Sequence, residues 1–242
     1  MNDHYLIAAS KNWEQARTTR IGVQTGQIFS QIDSDTHLML WHYNRGAGNQ
    51  YPDSDTRNPR YIFFPHWSTK ISAEIYETYE CVMFHMTDLP YGRGGSPLQN
   101  LIVRGHTETK LTAFKCVAGM DAGAIYLQRD LSLAGAAWEI YDRASNLIEE
   151  MIAEIVATNT IPVPQVGVPT LFKRRTPDQS NLAVHLSDKR TPADVYNHIR
   201  MLDAPGYPHA YFDGDGFRYE FTEAQLAGDV ITAKVVITPI EV

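Results

Sequence analysis

Short apolar runs closed by turn-forming residues punctuate the first two thirds of the chain. Tyr5-Leu6-Ile7-Ala8-Ala9, Tyr61-Ile62-Phe63-Phe64 and Cys81-Val82-Met83-Phe84 show no polar alternation. That pattern predicts strands covered on both faces, as in a parallel sheet. Residues 111–116 and 126–133 read as two further strands. A long helix is predicted over 134–157, with Ile140, Ala144, Leu147, Ile148, Met151 and Ile155 on one stripe. Ser68 or Thr69 suits the cap of a helix through Ile71, Ile75 and Tyr76, and Ser96-Pro97 opens another. Pro and Gly over 162–167 mark the way into a smaller carboxyl-terminal part. There Thr191-Pro192-Ala193-Asp194 suits a helix start, and the β-branched tail 230–240 suits a small sheet. The fold class expected is α/β, with a mostly parallel sheet and a small carboxyl-terminal β-containing appendage.

Between Arg17 and Asn58 the pattern degrades. His37-Leu38-Met39-Leu40-Trp41 resembles a strand, 47–55 has loop composition, and no amphipathic helix can be traced.

Composition narrows the function classes. A chain of 242 residues can bury a sizeable core. Its formal net charge of −7 carries no electrostatic footprint for nucleic acid, although a local basic patch is compatible with it. No apolar run is long enough to cross a bilayer, and the amino terminus lacks the charged-then-apolar order of a signal peptide, so a cytoplasmic location is expected. Cys81 and Cys116 lie in apolar strand-like segments and read as buried thiols. The nine histidines have no zinc-type spacing, and no metal is expected.

The candidate chemistry begins at the end of the third apolar run. His85 stands at that strand's carboxyl end, where ligands sit in open α/β sheets, and a Pro/Gly-rich loop follows it. An imidazole there serves either proton traffic near neutral pH or a structural bond to a loop carbonyl. Asp121 lies between Gly119 and Gly123, whose lack of side chains lets a substrate or a backbone come close. It is either a base for a reacting amine or a turn residue satisfying its own backbone. A His and an Asp together suit acyl transfer.

These motifs resemble a known family. Leu89-Pro90-Tyr91-Gly92-Arg93-Gly94 matches a Leu-Pro-x-x-Arg-Gly loop, and Met120-Asp121-Ala122-Gly123 a Leu-Asp-x-Gly turn. Between them, Gly105-His106-Thr107-Glu108-Thr109 is similar to a Gly-x-Thr-x-Thr-Gly segment, with Lys110 in place of the last glycine. In this order they mark the formyltransferases that use N10-formyltetrahydrofolate, and residues 59–212 are similar to the sugar N-formyltransferase branch, including enzymes acting on pseudaminic-acid-type sugars.

The resemblance implies a Rossmann-like formyltransferase domain over 1–160, with 1–58 divergent or poorly patterned and 17–58 either strongly diverged or partly out of frame, and an appendage over 161–242. It implies N10-formyltetrahydrofolate as co-substrate and a small, nucleotide-linked amino sugar as acceptor, with no nucleic acid and no membrane, and it is compatible with a homodimer. His85 and Asp121 take the catalytic positions. Trp67, Met83, Leu89, Arg93, Gly94 and Gly95 fall where the donor is bound, and Lys11, Asn12, Arg174 and Arg200 are candidates for the acceptor and its phosphate. One departure bears on mechanism: the family's asparagine falls at Met83, which cannot donate a hydrogen bond. His85, Asn100 or a loop N–H would have to replace it. Otherwise the chain is an impaired folate or sugar-nucleotide binder. A methionyl-tRNA formyltransferase-like enzyme and a formyltetrahydrofolate hydrolase are the other readings.

Overall fold

A computed structural model describes residues 3–9, 13–34, 38, 39, 42, 58–185 and 191–240. The strands are β1 (His4–Ala8), β2 (Ile28–Ile32), β3 (Ile62–Phe64), β4 (Cys81–His85), β5 (Arg93–Gly94), β6 (Glu108–Lys115), β7 (Ile125–Ser132), β8 (Leu171–Phe172), β9 (Ala210–Gly214), β10 (Phe217–Ala227) and β11 (Val230–Pro239). The helices are α1 (Gln15–Thr25), α2 (Ala73–Tyr76), α3 (Pro97–Val103), α4 (Ala137–Thr158), α5 (Leu182–His185) and α6 (Pro192–Arg200). The chain divides into two compact units that draw alternately on the sequence. The first comprises Met1–Arg93, Lys110–Asp130 and Ala144–Thr170, and the second Gly94–Thr109, Leu131–Arg143 and Leu171–Val242.

A six-stranded sheet of order β2-β1-β3-β4-β6-β7 organises the first unit. β1 pairs in parallel with β2 and β3, β3 pairs in parallel with β4, and β4 pairs antiparallel with β6. The expected mostly parallel sheet is therefore present, turned to mixed by β6. Every residue of β1 and β3 is buried, as their unbroken apolar runs require. Leu6, Ala8, Ile62, Phe64, Ile75 and Cys81 form one core cluster, against which Met83 and Cys116 pack. The stripe expected on the long helix is real: Ile140, Ala144, Ile148, Met151 and Ile155 are buried, and Leu147 sits at its rim.

The sequence reading missed α1 and β2, and the reason is physical. α1 buries Arg17, Thr18 and Ile21, a face with a single apolar member. Polar bonds hold the helix instead. Arg17 donates to Asn146 Oδ1 at 2.7 Å and to Glu149 at 3.2 Å, Arg20 pairs with Glu149 at 2.7 Å, and Trp13 Nε1 donates to Thr18 at 3.1 Å. Thr18 in turn bonds Gln31 of β2. A helix attached this way leaves no hydrophobic period to read. Leu38 and Met39 have helical backbone, correcting the strand expected over 37–41; His37, Leu40 and Trp41 lie outside the described residues. The helix expected from Ser68 or Thr69 is the single turn α2, begun by Ser72.

The strand order reverses between β1 and β3, the switch point at whose carboxyl ends ligands bind in open α/β sheets. His66, just past β3, adopts a left-handed φ of 50° and bonds Ser145 Oγ at 2.7 Å. Burial first, and the nearby Arg17 charge second, pull its pKa down to about 4.

In the second unit an antiparallel sheet of order β11-β10-β9 carries the carboxyl-terminal β structure. β10, which alternates polar and apolar residues, was not anticipated beside the expected β11. Phe212 stacks on Tyr219 at 4.6 Å and lies 5.8 Å from Phe221 on one sheet face. α6 starts as expected, with Thr191 accepting from Asp194 N–H at 3.2 Å and Asp194 accepting from Thr191 N–H at 2.8 Å. Among the described residues no helix is long and apolar enough to cross a membrane, and no group of three metal-ligating side chains occurs.

Arg200 corrects a sequence expectation. Its buried guanidinium donates to the carbonyls of Leu133 at 2.6 Å and Gly135 at 2.8 Å and to Asn197 Oδ1 at 2.7 Å, and it lies over the Tyr196 ring. It ties loops together and is not presented to a phosphate. Asp203 accepts the Glu223 N–H at 2.7 Å, at the bulge in β10.

Two outcomes follow. Arg200→Leu strands the carbonyls of Leu133 and Gly135 and is expected to cost about 2–4 kcal/mol, read as a lower urea midpoint. The folded His66 titrates near 4, below its ordinary 6.5, so the unfolded chain binds this proton first. Its contribution to stability is complete above pH 6.5 and is lost as pH falls toward 4. Urea unfolding at pH 7 and pH 4.5 is expected to show a smaller acid loss in His66→Gln than in the parent.

Candidate functional site

β4 delivers Met83 and His85 to the same face of the sheet, because residues two apart on a strand point the same way. The imidazole Nε2 lies 2.8 Å from the Gly92 carbonyl and 3.9 Å from Asp121 Oδ2. A carbonyl can only accept, so Nε2 carries the proton and donates it to Gly92. The contact with Asp121 is an ion-pair distance rather than a hydrogen bond. The loop carbonyl holds His85, one of the two expected readings, and the carboxylate of Asp121 faces it. The two side chains are 10% and 15% exposed.

Asp121 sits in the left-handed region, φ 46°. The reason for its small neighbour is backbone approach. A Cβ on Gly123 would lie 1.7 Å from the Lys115 carbonyl oxygen, and Lys115 N–H bonds the Ala124 carbonyl at 2.8 Å. Only glycine lets the turn fold onto the end of β6 this closely. The Cys116 thiol beside this turn is pushed up to about 11, by burial first and by the Asp121 charge second. Neither cysteine is in a disulfide.

The loop after β4 is fixed at both ends. Thr112 Oγ1 donates to the Thr87 carbonyl at 2.7 Å, and Gln128 Nε2 reaches Asp88 at 2.9 Å. Farther on, Thr170 N–H bonds the Pro90 carbonyl at 3.2 Å and Arg93 N–H the Thr170 carbonyl at 2.9 Å. Leu89 is buried.

Several expected donor-binding residues have structural duties. Arg93 directs Nε and one terminal nitrogen at Gln165 Oε1, at 3.1 and 2.7 Å. Gly94 and Gly95 are small because another segment passes over them: a Cβ would meet the Phe172 carbonyl oxygen at 2.4 Å or the Arg174 Cβ at 2.5 Å. Trp67 is buried in the core cluster, edge-on to Phe64 at 5.4 Å. Met83 rests half-buried against that same cluster, so apolar packing extends up to His85.

Asn100 does not stand in for the family's amide. Its Nδ2 donates to the carbonyls of Gly95, Ser96 and Lys173, all within 3.0 Å. Arg174 is exposed. Lys11 and Asn12 lie outside the described residues.

Sequence reading missed Gln165. Its Nε2 donates to the carbonyls of Asp121 and Gly123, both at 2.8 Å, while its Oε1 accepts from Arg93. A polar residue inside a Pro/Gly-rich stretch reads as loop, and no local signal sets it apart.

Comparison with known proteins agrees with this geometry. The C-terminal domain of methionyl-tRNA formyltransferase, as a family, matches residues 177–238. A methionyl-tRNA formyltransferase from Dichelobacter nodosus is 26% identical over 182 residues, 70% of this chain and 55% of that protein. The chain spans about half the length of the curated relatives it matches. Among solved structures, a methionyl-tRNA formyltransferase from Clostridium thermocellum superposes with a TM-score of 0.85 at 39% identity, covering 98% of this chain and 99% of that one. A sugar N-formyltransferase from Shewanella shares the fold at 17% identity, with a TM-score of 0.64 and coverage of 93% and 99%. With a relative matched along its whole length, and with His85 and Asp121 brought face to face by the motifs that suggested them, the chain belongs to the formyltransferase family.

Proposed function

We propose that the chain transfers a formyl group from N10-formyltetrahydrofolate to the primary amine of a small amino sugar, most naturally one linked to a nucleotide. The observation that carries the reading is the 3.9 Å approach of His85 Nε2 and Asp121 Oδ2. A carboxylate and an imidazole so placed fit a reaction between an amine and a formyl donor. The donor supplies an activated one-carbon group. The protein supplies position and proton handling.

The amine nitrogen bonds to the formyl carbon as the bond from that carbon to N10 breaks; Asp121 is the acceptor proposed for the amine's proton, and N10 leaves protonated as tetrahydrofolate. His85, held at Nε2 by the Gly92 carbonyl, is the group proposed to face the transferred oxygen as negative charge gathers on it. Met83 withholds the amide that the family uses, and Asn100 is committed elsewhere, so His85 has the larger share of this task. Lys11, Asn12 and the exposed Arg174 are the groups proposed for the acceptor and its phosphate.

A net charge of −7 favours a small acceptor over a polyanion. The names of the relatives favour methionyl-tRNA, and that is the second reading.

The deciding assay supplies N10-formyltetrahydrofolate with UDP- or dTDP-linked amino sugars, with methionyl-tRNA, or with no amine, and follows formylated product, tetrahydrofolate and formate. Formyl sugar is expected. Formylation of methionyl-tRNA alone would move the acceptor to nucleic acid, and formate at an undiminished rate without amine would make the chain a hydrolase. Asp121→Asn and His85→Gln are each expected to lower turnover by about 10²-fold or more, with folding intact by circular dichroism. Near-parent turnover in Asp121→Asn would remove the base assignment. Met83→Asn, restoring the family's donor, is expected to raise turnover by about tenfold or more.

A further inference from the structure

We propose that Gln165 is a positioning residue for Asp121, and that through it the dipeptide Gly92-Arg93 sets the places of both catalytic side chains. This rests on the formyl-transfer reading of His85 and Asp121.

The segment around Gln165 has an inverted burial pattern. In 163–168 the valines face water, Val163 at 60%, Val166 at 88% and Val168 at 89% exposure, while the amide of Gln165 is turned inward and half-buried. Hydrophobic burial would arrange this segment the other way round. The segment is held in place by paired bonds between Val163 and Ile125, at 2.7 and 2.8 Å. Ordering a glutamine side chain costs rotamer entropy, and bonds made by the amide must offset it.

Every polar atom of that amide is used. Nε2 has two hydrogens and two acceptors, the carbonyls of Asp121 and Gly123, each at 2.8 Å. Oε1 accepts from two nitrogens of Arg93 at 3.1 and 2.7 Å. Turning the amide over would set oxygen against two carbonyls and an N–H donor against a guanidinium, so its orientation is fixed by chemistry. The two carbonyls flank Ala122 and bracket the turn in which Asp121 has its left-handed φ of 46°. That conformation is unfavourable for a residue with a side chain, and the surroundings must hold it. Gln165 does so from one side while the Gly123–Lys115 approach does so from the other.

Arg93 extends the link. Its neighbour Gly92 supplies the carbonyl that accepts from His85 Nε2 at 2.8 Å. One residue therefore fixes the imidazole directly, and the next fixes the carboxylate through Gln165. The Leu-Pro-x-x-Arg-Gly loop and the turn at Asp121, separate in sequence, become one mechanical unit.

The test is a double-mutant cycle in the full chain. Gln165→Met keeps the length of the side chain but removes the donors. Gln165→Glu keeps an acceptor for Arg93 while losing both donors. Each is expected to lower kcat by about 10- to 100-fold, the scale on which a misplacement near 1 Å acts. KM for N10-formyltetrahydrofolate is expected to stay within about threefold, and in the Asp121→Asn background the same changes are expected to cost less than about twofold. Parent-like turnover, an effect on KM alone, or an equal loss in both backgrounds would overturn the proposal. Should the parent transfer formyl to no acceptor, the formyl-transfer reading fails by itself, and a crystal structure of Gln165→Met then decides the positioning role. Asp121 leaving the left-handed region supports it; φ still near 46° with Asp121 still about 3.9 Å from His85 overturns it.

Discussion

The turn that bears Asp121 can fold back on β6 because Gly123 has no side chain where the Lys115 carbonyl passes. Much of the site depends on that one steric allowance. It lets Asp121 end opposite an imidazole delivered by another strand, and it puts the carbonyls of Asp121 and Gly123 within reach of Gln165. A methyl group there would have to displace backbone rather than a flexible side chain. The family's Leu-Asp-x-Gly turn reads, in this light, as a rule about backbone approach as much as about a carboxylate.

Around the turn, the molecule uses buried polar bonds where many α/β proteins use apolar contact. α1 is held by Arg17, Thr18 and Arg20 reaching Asn146, Glu149 and Gln31. Arg200 closes two loop carbonyls, and Asn100 closes three. Such bonds add modestly to stability when complete, but leaving one partner unpaired is costly, so they specify geometry more than they add strength. Arg93 and Gln165 belong to the same class of tie, placed at the chemistry.

Met83 is the chemical departure. Apolar packing from the sheet core runs along β4 to the residue that shares a face with His85, and the amide found there in relatives is replaced by a thioether. In the proposed reaction, the demand for an N–H or positive charge beside the transferred oxygen would fall more heavily on His85, whose Nε2 proton is already committed to Gly92.

By itself, the sequence determined the parallel sheet core, the long helix, the start of α6 and the pair His85 and Asp121. Those features are written as unbroken apolar runs, a helical stripe, a Thr-Pro-x-Asp cap and ordered motifs, all local patterns. It did not determine α1, whose attachment is polar and two of whose partners, Asn146 and Glu149, lie more than a hundred positions away. It could not tell Arg200 the loop tie from Arg200 the phosphate ligand, because a guanidinium fits carbonyls and phosphates alike. Nor could it find Gln165, for nothing in its neighbours distinguishes it from any loop residue. The tertiary structure decided these, because each depends on which backbone carbonyls meet a given side chain, and those carbonyls are placed by distant parts of the chain.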